Sequence, residues 1–313
     1  MSPSRSLNED IQQHYARSDL GTAILAALPA AGKDVNHLQP EDLAPVDEFH
    51  IRGRKATLEL ARAVGLDTTK QVLDVGSGVG GPSRCIAREF GCRVIGIDLT
   101  DEYCRVATML AERVALSHLV SYRRGDALNL PFPDETFDVV WTQHVAMNIP
   151  DKATMYREVH RVLKPGGVLA IYDILAGPAG QVVFPVPWAR LPETSFLVTP
   201  NQLRQLLEET GFEISNWEDT TAAAQEWFAS LARNIQQSGL PPLGFHVLLG
   251  PDFQVMAQNQ RRNLEEGRIV LAQVVARKRQ TPNYPPWRNA PHATLSRQSE
   301  STLNLFGSNS CKP

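Results

Sequence analysis

The sequence predicts an α/β fold built on a parallel sheet, and three observations carry that reading. Apolar runs of strand length recur along the chain, helical patterns separate most of them, and a glycine-rich turn joins the first run to the first of those helices. The runs are 71–76, 93–98, 119–123, 137–142, 167–174, 212–217 and 268–276. Helical patterns fall at 82–90, 101–115 and 151–163. Tyr103, Ala107, Leu110 and Val114 line one face of the second at three-to-four-residue spacing. Such alternation puts helices on both faces of the sheet, and the right-handed crossover rule leaves few other topologies.

Before the first strand, Ser6 with Glu9 makes a capping box that opens a helix through Ile11, His14 and Tyr15. Residues 29–47, with Pro29, Gly32, Pro40 and Pro45, read as loop. A second helix is expected over 49–64, stopped by Gly65. Residues 1–66 are thus expected to form an N-terminal helical cap on a main domain of 67–279. Five prolines between Pro178 and Pro200 mark 177–200 as a long lid-like segment, since loops of such length are usually functional. Thr199, Pro200 and Gln202 then cap a helix carrying Leu203, Leu206 and Leu207. Helical patterns at 222–237 and 252–266 form an insertion, 222–267, before the last strand. The segment 280–313 has five prolines and no apolar periodicity, the composition of a disordered tail.

Composition narrows the function. The chain has 313 residues, 42% hydrophobic and 21% charged, so it can bury a full core without staples. Its 31 Lys+Arg against 34 Asp+Glu argue against a nucleic-acid partner, and Arg123-Arg124 or Arg261-Arg262 are too short to form a basic stripe. Cys85, Cys92, Cys104 and Cys311 form no CxxC pair and have no His at zinc-ligand spacing. That pattern predicts no metal centre and a reducing, cytoplasmic setting. No apolar core of a secretory signal is visible near Met1, and the apolar stretch 23–31 is too short to span a bilayer, so no membrane insertion is expected.

The chemistry concentrates at Val72-Leu-Asp-Val-Gly-Ser-Gly-Val-Gly-Gly81, a strand running into a glycine turn and a helix. Gly76, Gly78 and Gly81 satisfy the dinucleotide pattern GxGxxG, while Gly76, Gly78 and Gly80 satisfy GxGxG. Asp98 ends the second strand, where a carboxylate serves ribose hydroxyls in either class. Asp74 separates the two. A carboxylate two residues before the first glycine repels a pyrophosphate and suits an ammonium group, such as that of S-adenosylmethionine. Further along, Gly125-Asp126-Ala127 closes the third strand, Asp134–Trp141 leads into the fourth, and Arg161-Val-Leu-Lys-Pro-Gly-Gly-Val-Leu169 enters the fifth.

Together these segments resemble the class I S-adenosylmethionine-dependent methyltransferases over residues 71–176, with all their motifs in order. The resemblance implies a Rossmann-like, seven-stranded, mostly parallel sheet whose last strand is antiparallel. It implies that Asp74, Gly76, Ser77, Gly78 and Gly80 line the methionine side of S-adenosyl-L-methionine. Asp98 then binds ribose, with Leu99, Asp126 and Ala127 flanking adenine. Within the class, the stretch His144–Lys152, together with Leu249–Phe253 and Asn263–Gly267, is similar to sarcosine/dimethylglycine N-methyltransferases and to tocopherol- or quinone-type C-methyltransferases. That likeness implies a small-molecule acceptor with an amine nitrogen or an activated carbon or oxygen.

Methyl transfer needs alignment, exclusion of water and, for some acceptors, a base. Gln143 and His144 follow the fourth strand, where either can meet the cofactor's methionine end. His144 is the candidate base, or else a histidine that shapes the pocket through a backbone bond. Tyr15 is a second catalytic candidate, on a helix similar to one that folds over the cofactor in related enzymes. His50 reads as a solvated or structural histidine. Trp188, Phe196, Trp227 and His246 are candidate acceptor contacts, among other late aromatics such as Trp217, Phe228 and Phe245. Arg190 and Arg233 are candidates for an acceptor carboxylate. Two rivals stand beside this reading. One is a nicotinamide-dependent oxidoreductase, opposed by Asp74 and the lack of a Tyr-x-x-x-Lys pair. The other is a catalytically silent cofactor-binding module. The sequence gives no reading of oligomeric state.

Overall fold

A computed structural model describes residues 6–15 and 19–279, so the predicted tail lies outside the described residues. Seven strands make one sheet: β1 (Gln71–Val75), β2 (Arg93–Asp98), β3 (Val120–Arg124), β4 (Phe137–Gln143), β5 (Leu163–Ala176), β6 (Phe212–Asp219) and β7 (Ile269–Lys278). Their order is β3-β2-β1-β4-β5-β7-β6. The first five are mutually parallel, with Val72 paired to Val94 on one side and Val139 on the other. Strand β7 runs antiparallel to both β5 and β6. The order reverses between β1 and β4, which opens a crevice at their carboxyl ends, the usual ligand position in open α/β sheets.

Strand alternation divides the core into two layers. Val72, Val94, Trp141 and Tyr172 face one layer, and their sequence neighbours Leu73, Ile95, Val140 and Ile171 face the other. Helices α1 (Leu7–Tyr15), α2 (Leu20–Ala30), α3 (Pro40–Asp47), α4 (Gly53–Val64), α5 (Gly81–Phe90) and α6 (Asp101–Arg113) precede β3. All but α1 bury side chains in the first layer. Helices α7 (Lys152–Val162) and α8 (Pro200–Glu209) cover the second with Met155, Tyr156, Val159, Leu203 and Leu207. Helices α9 (Thr221–Ser238), α10 (His246–Leu249) and α11 (Phe253–Glu265) form the insertion ahead of β7.

The N-terminal region corrects the expectation of a loop over 29–47. Helix α3 lies inside it, because Pro40 stands at the first turn, where its missing N–H is no loss, and Gln39 and Asp42 cap each other reciprocally. The following helix starts at Gly53 rather than residue 49, since Arg52 is held in the left-handed region at φ 69°. Gly65 ends it as expected, also left-handed. The N-terminal helices are not a separate layer: Leu20, Ile24, Leu43, Val46 and Leu60 are buried in the same core as Val72 and Trp141. Among the described residues, no helix is long and apolar enough to cross a membrane.

Candidate active site

The glycine turn follows β1 directly. Gly76, Gly78 and Gly80 have φ of 73°, 54° and 83°, which a side chain strains to adopt. A Cβ on Gly76 would also stand 2.5 Å from a methyl of Val145, so the turn packs directly against a side chain that follows β4. The amides of Gly76 and Ser77 both donate to Ile97 O, at 2.8 and 2.9 Å, and Gly78 N–H donates to Asp98 Oδ2 at 3.0 Å. Ser77 Oγ is buried on the wall of a cavity with no hydrogen-bond partner. An orphaned buried hydroxyl in the glycine turn, packed toward Gly96 of β2, fits a polar ligand.

Gly81 has a different reason. A Cβ there would meet Asp47 O at 2.1 Å, so this glycine lets α5 pack on α3. Arg84 of α5 fastens the contact, donating to Asp47 Oδ2 at 2.7 Å with both side chains buried. The overlapping GxGxxG pattern is thereby accounted for by helix packing.

Helix α1 lies across the cavity and is bonded at both ends. Asn8 Nδ2 donates to Asp126 Oδ2 at 3.2 Å and Gln12 Nε2 to Leu99 O at 3.3 Å. Further along, His14 Nε2 meets Pro187 O at 2.9 Å, and Tyr15 Oη donates to Asn148 Oδ1 at 3.0 Å. Asn148 Nδ2 in turn donates to Trp188 O and Thr194 O in the lid. Burial and the nearby Asp98 raise the Tyr15 pKa well above its usual value, so its oxygen remains a neutral hydroxyl.

The cavity floor holds two histidines with ring centroids 6.0 Å apart. His144 has φ 54°, unusual for a residue with a side chain, and such strain concentrates at functional sites. Its backbone N–H and Nδ1 both reach Tyr172 O, at 2.8 and 3.2 Å. A carbonyl can only accept, so Nδ1 carries the proton and Nε2 keeps a lone pair. Nε2 receives one long contact, from Ile51 N–H at 3.4 Å. Burial lowers the His144 pKa to about 4, so the ring is neutral at physiological pH.

His50 is buried rather than solvated, which corrects one half of the reading made from sequence. Its Nε2 meets Gly53 O and Thr57 Oγ1 at 3.1 Å each and Gln143 Nε2 at 3.3 Å. Thr57 Oγ1 lies 2.7 Å from Glu48 Oε2, and Gln143 Oε1 accepts from Trp141 Nε1 at 2.8 Å. Burial, with Asp47 adjacent, pushes the Glu48 pKa up to about 8, and burial lowers that of His50 to about 3. The proton of this buried cluster therefore resides on the carboxyl.

One cavity brings together Tyr15, Gly76, Ser77, Gly78, Asp98, Leu99, Asp126, Ala127, Gln143, His144, Trp188 and Trp227. Four predicted residues stand outside its wall. Asp74 is buried behind the turn, where it accepts from Ser83 Oγ at 2.5 Å, and burial raises its pKa to about 7. Gly80 caps α5 and takes a bond from Tyr122 Oη at 3.1 Å. Phe196 anchors the lid by its backbone, its N–H donating to Met147 O and its carbonyl accepting from Lys152 Nζ. His246 lies beside Phe253, at 5.9 Å between rings. The two candidate arginines are committed elsewhere: Arg190 pairs with Asp252 and the exposed Arg233 bonds Ser230. Sequence reasoning missed Asn8, Glu48 and Phe49. Their signal is three-dimensional, since nothing local marks a residue before β1 as reaching the end of β4.

Residues 73–171 match the family model described as a methyltransferase domain. The chain is 44% identical over 114 residues to sterol 24-C-methyltransferase of Eremothecium gossypii, covering 36% of this chain and 31% of that protein. It thus spans about a third of the length of the sterol enzymes it matches. Sarcosine/dimethylglycine N-methyltransferase of Halorhodospira halochloris is 28% identical over 233 residues, covering 73% of this chain and 81% of its own. Among solved structures, the [4+2]-cyclase SpnF is 26% identical with a TM-score of 0.65, covering 89% of this chain and 99% of that one. Haemonchus contortus phosphoethanolamine N-methyltransferase 2, solved with S-adenosyl-L-methionine, has a TM-score of 0.68 at 20% identity, over 89% of this chain and 61% of its own. Residues 73–171, carried on a seven-stranded Rossmann-like sheet, are thus similar to the methyltransferase-domain family.

Proposed function

We propose that the protein transfers a methyl group from S-adenosyl-L-methionine to a small-molecule acceptor. The observation that carries this reading is the single cavity joining the Gly76–Gly78 turn, with its unpartnered Ser77 hydroxyl, to His144 and an aromatic chamber. In this reading Gly76, Ser77 and Gly78 hold the methionine end, Asp98 the ribose hydroxyls, and Leu99, Asp126 and Ala127 the adenine. Asp74 and Gly80 act from behind, fixing the turn through Ser83 and Tyr122.

When bound, the cofactor supplies an electrophilic sulfonium methyl for in-line displacement. The chain's own contribution is alignment and shielding. Tyr15 and Asn148 tie α1 to the lid and keep water out. His144, neutral and locked with its proton on Nδ1, offers Nε2 to an acceptor O–H or N–H. A ring titrating near 4 is a weak base, so its role is to orient the nucleophile and receive a proton only as it is released. The acceptor contacts in this reading are Trp188 and Trp227, with Phe196 and His246 supporting from outside the wall. The buried thiols Cys85, Cys92 and Cys104 support a reducing, cytoplasmic setting.

Calorimetric titration with S-adenosylmethionine, S-adenosylhomocysteine and NAD tests the reading, together with transfer from methyl-labelled cofactor to phenol and amine acceptors. The expected result is saturable binding of the first two and label in an acceptor. His144→Ala should lower turnover about a hundredfold while leaving cofactor affinity within twofold. Binding of NAD alone would replace this function with a redox one. A second reading is that the fold holds the cofactor without transferring from it, since one structural neighbour, SpnF, is named as a [4+2]-cyclase and not as a methyltransferase. Tight cofactor binding with no label transferred to any acceptor would select that reading.

A further inference from the structure

The acceptor end of the cavity is lined by Phe49, Trp188, Trp227, Phe228, Phe245 and Phe253, with leucines between them. Phe49, ahead of α4, and Phe245, in the insertion, meet edge to face at 5.3 Å, so segments far apart in sequence close one apolar chamber. No lysine or arginine lines the cavity among the described residues. The carboxylates on its wall are all spoken for: Asp47 by Arg84, Asp98 by Gly78 N–H and Thr100 N–H, Asp126 by Leu128 N–H and Asn8. Of the nearby cations, Arg190 pairs with Asp252 and Arg52 pairs with Glu59 through Nη2, its Nη1 being buried without a partner; neither side chain lines the cavity. An acceptor carboxylate or phosphate would therefore enter this chamber without a counter-charge on its wall, and burying an unpaired charge is strongly unfavourable. The uncharged polar side chains at this end are few: Gln143, His144, His50, Asn148 and, from α11, Gln260, with the two histidine rings 6.0 Å apart.

We infer that the acceptor is an uncharged, largely apolar molecule carrying a single hydroxyl-type head that meets His144, its body filling the chamber of Phe49, Trp188, Trp227 and Phe245. This rests on the methyl-transfer reading and narrows it. It sets the chain apart from the relatives named for sarcosine, dimethylglycine and phosphoethanolamine, whose acceptors carry a carboxylate or a phosphate. The fold is shared with those enzymes; the charge of the acceptor is not.

The test uses the full chain saturated with S-adenosylhomocysteine and follows quenching of tryptophan fluorescence, because Trp188 and Trp227 line the chamber. The probes are 4-butyl-, 4-hexyl- and 4-octylphenol, set against sarcosine, phosphoethanolamine and choline. Affinity should rise about fourfold per added methylene along the alkyl series, and the three charged probes should give no saturable signal. Trp227→Ala should weaken octylphenol at least tenfold, and Trp227→Phe should restore most of that loss, with melting curves confirming that both variants fold. A flat alkyl series, or tighter saturable binding of any charged probe, overturns the inference. Cofactor titration on the same samples separates the two claims. Loss of cofactor binding with an intact alkyl series defeats methyl transfer, whereas cofactor binding with a flat series defeats the apolar acceptor alone.

Discussion

The two ends of the cavity are built in opposite ways. At the cofactor end the polar atoms belong to backbone and short side chains: Gly76, Ser77 and Gly78 in one turn, Asp98 at the next strand end, Asp126 at the third. Each follows a strand of the parallel sheet, so sheet register alone brings them together. At the acceptor end the wall is made of large apolar side chains from α4's approach, the lid, α9, α10 and α11, and no strand fixes them. The comparison teaches that one end is specified by topology and the other by packing. Substitutions should therefore separate them.

The largest effect is expected at Asn263, which is fully buried and bonds both Val183 O (2.9 Å) and Val183 N–H (2.8 Å). Asn263→Ala leaves two lid backbone groups unpaired, costing about 2–4 kcal/mol in urea denaturation. Octylphenol affinity should fall with it, while cofactor affinity stays within a few-fold. A parallel loss at both ends would break the distinction.

Asp98→Ala should act the other way. Loss of charge-assisted bonds to ribose lowers cofactor affinity roughly 10- to 100-fold, measured by calorimetry, with the alkylphenol series unchanged. Unchanged cofactor affinity would remove Asp98 from its proposed role.

A pH series sharpens the comparison at the floor, where the ends meet. The Glu48 carboxyl is raised in the folded chain from an ordinary 4.5 to about 8. The folded form then binds the proton more tightly than the unfolded one, so its contribution is fully present below about 4.5 and is lost as pH rises through about 8. Glu48→Gln keeps a neutral hydrogen-bonding group and removes that loss. The melting temperature of the variant should gain on the parent between pH 6 and pH 9; a constant gap would mean Glu48 is already ionised.

The smallest effect is expected at Asn8→Ala, which removes an exposed 3.2 Å bond to Asp126. Cofactor affinity should drop two- to fivefold, in keeping with a single solvent-exposed hydrogen bond worth under about 1 kcal/mol.

Legibility in the sequence followed the same division. The strands and the helices flanking the glycine turn were readable because period-two and period-3.6 patterns are local. Asp98, Asp126 and His144 were readable because each ends a strand. Helix α3 was not, since prolines that break a helix interior are welcome in its first turn. The burial of His50 is not legible, because it depends on Thr57 and Gln143, which the fold alone brings to it. Asp74 was legible as part of the motif, but its Ser83 bond, behind the turn, was not.

One helix joins the two ends. With nine residues, α1 is about 13 Å long, and it bonds Leu99 and Asp126 through Gln12 and Asn8, and Pro187 and Asn148 through His14 and Tyr15. Lifting it to free one ligand breaks the bonds that guard the other. The two ends of the cavity therefore share one tether, a single short helix whose side chains are divided between them.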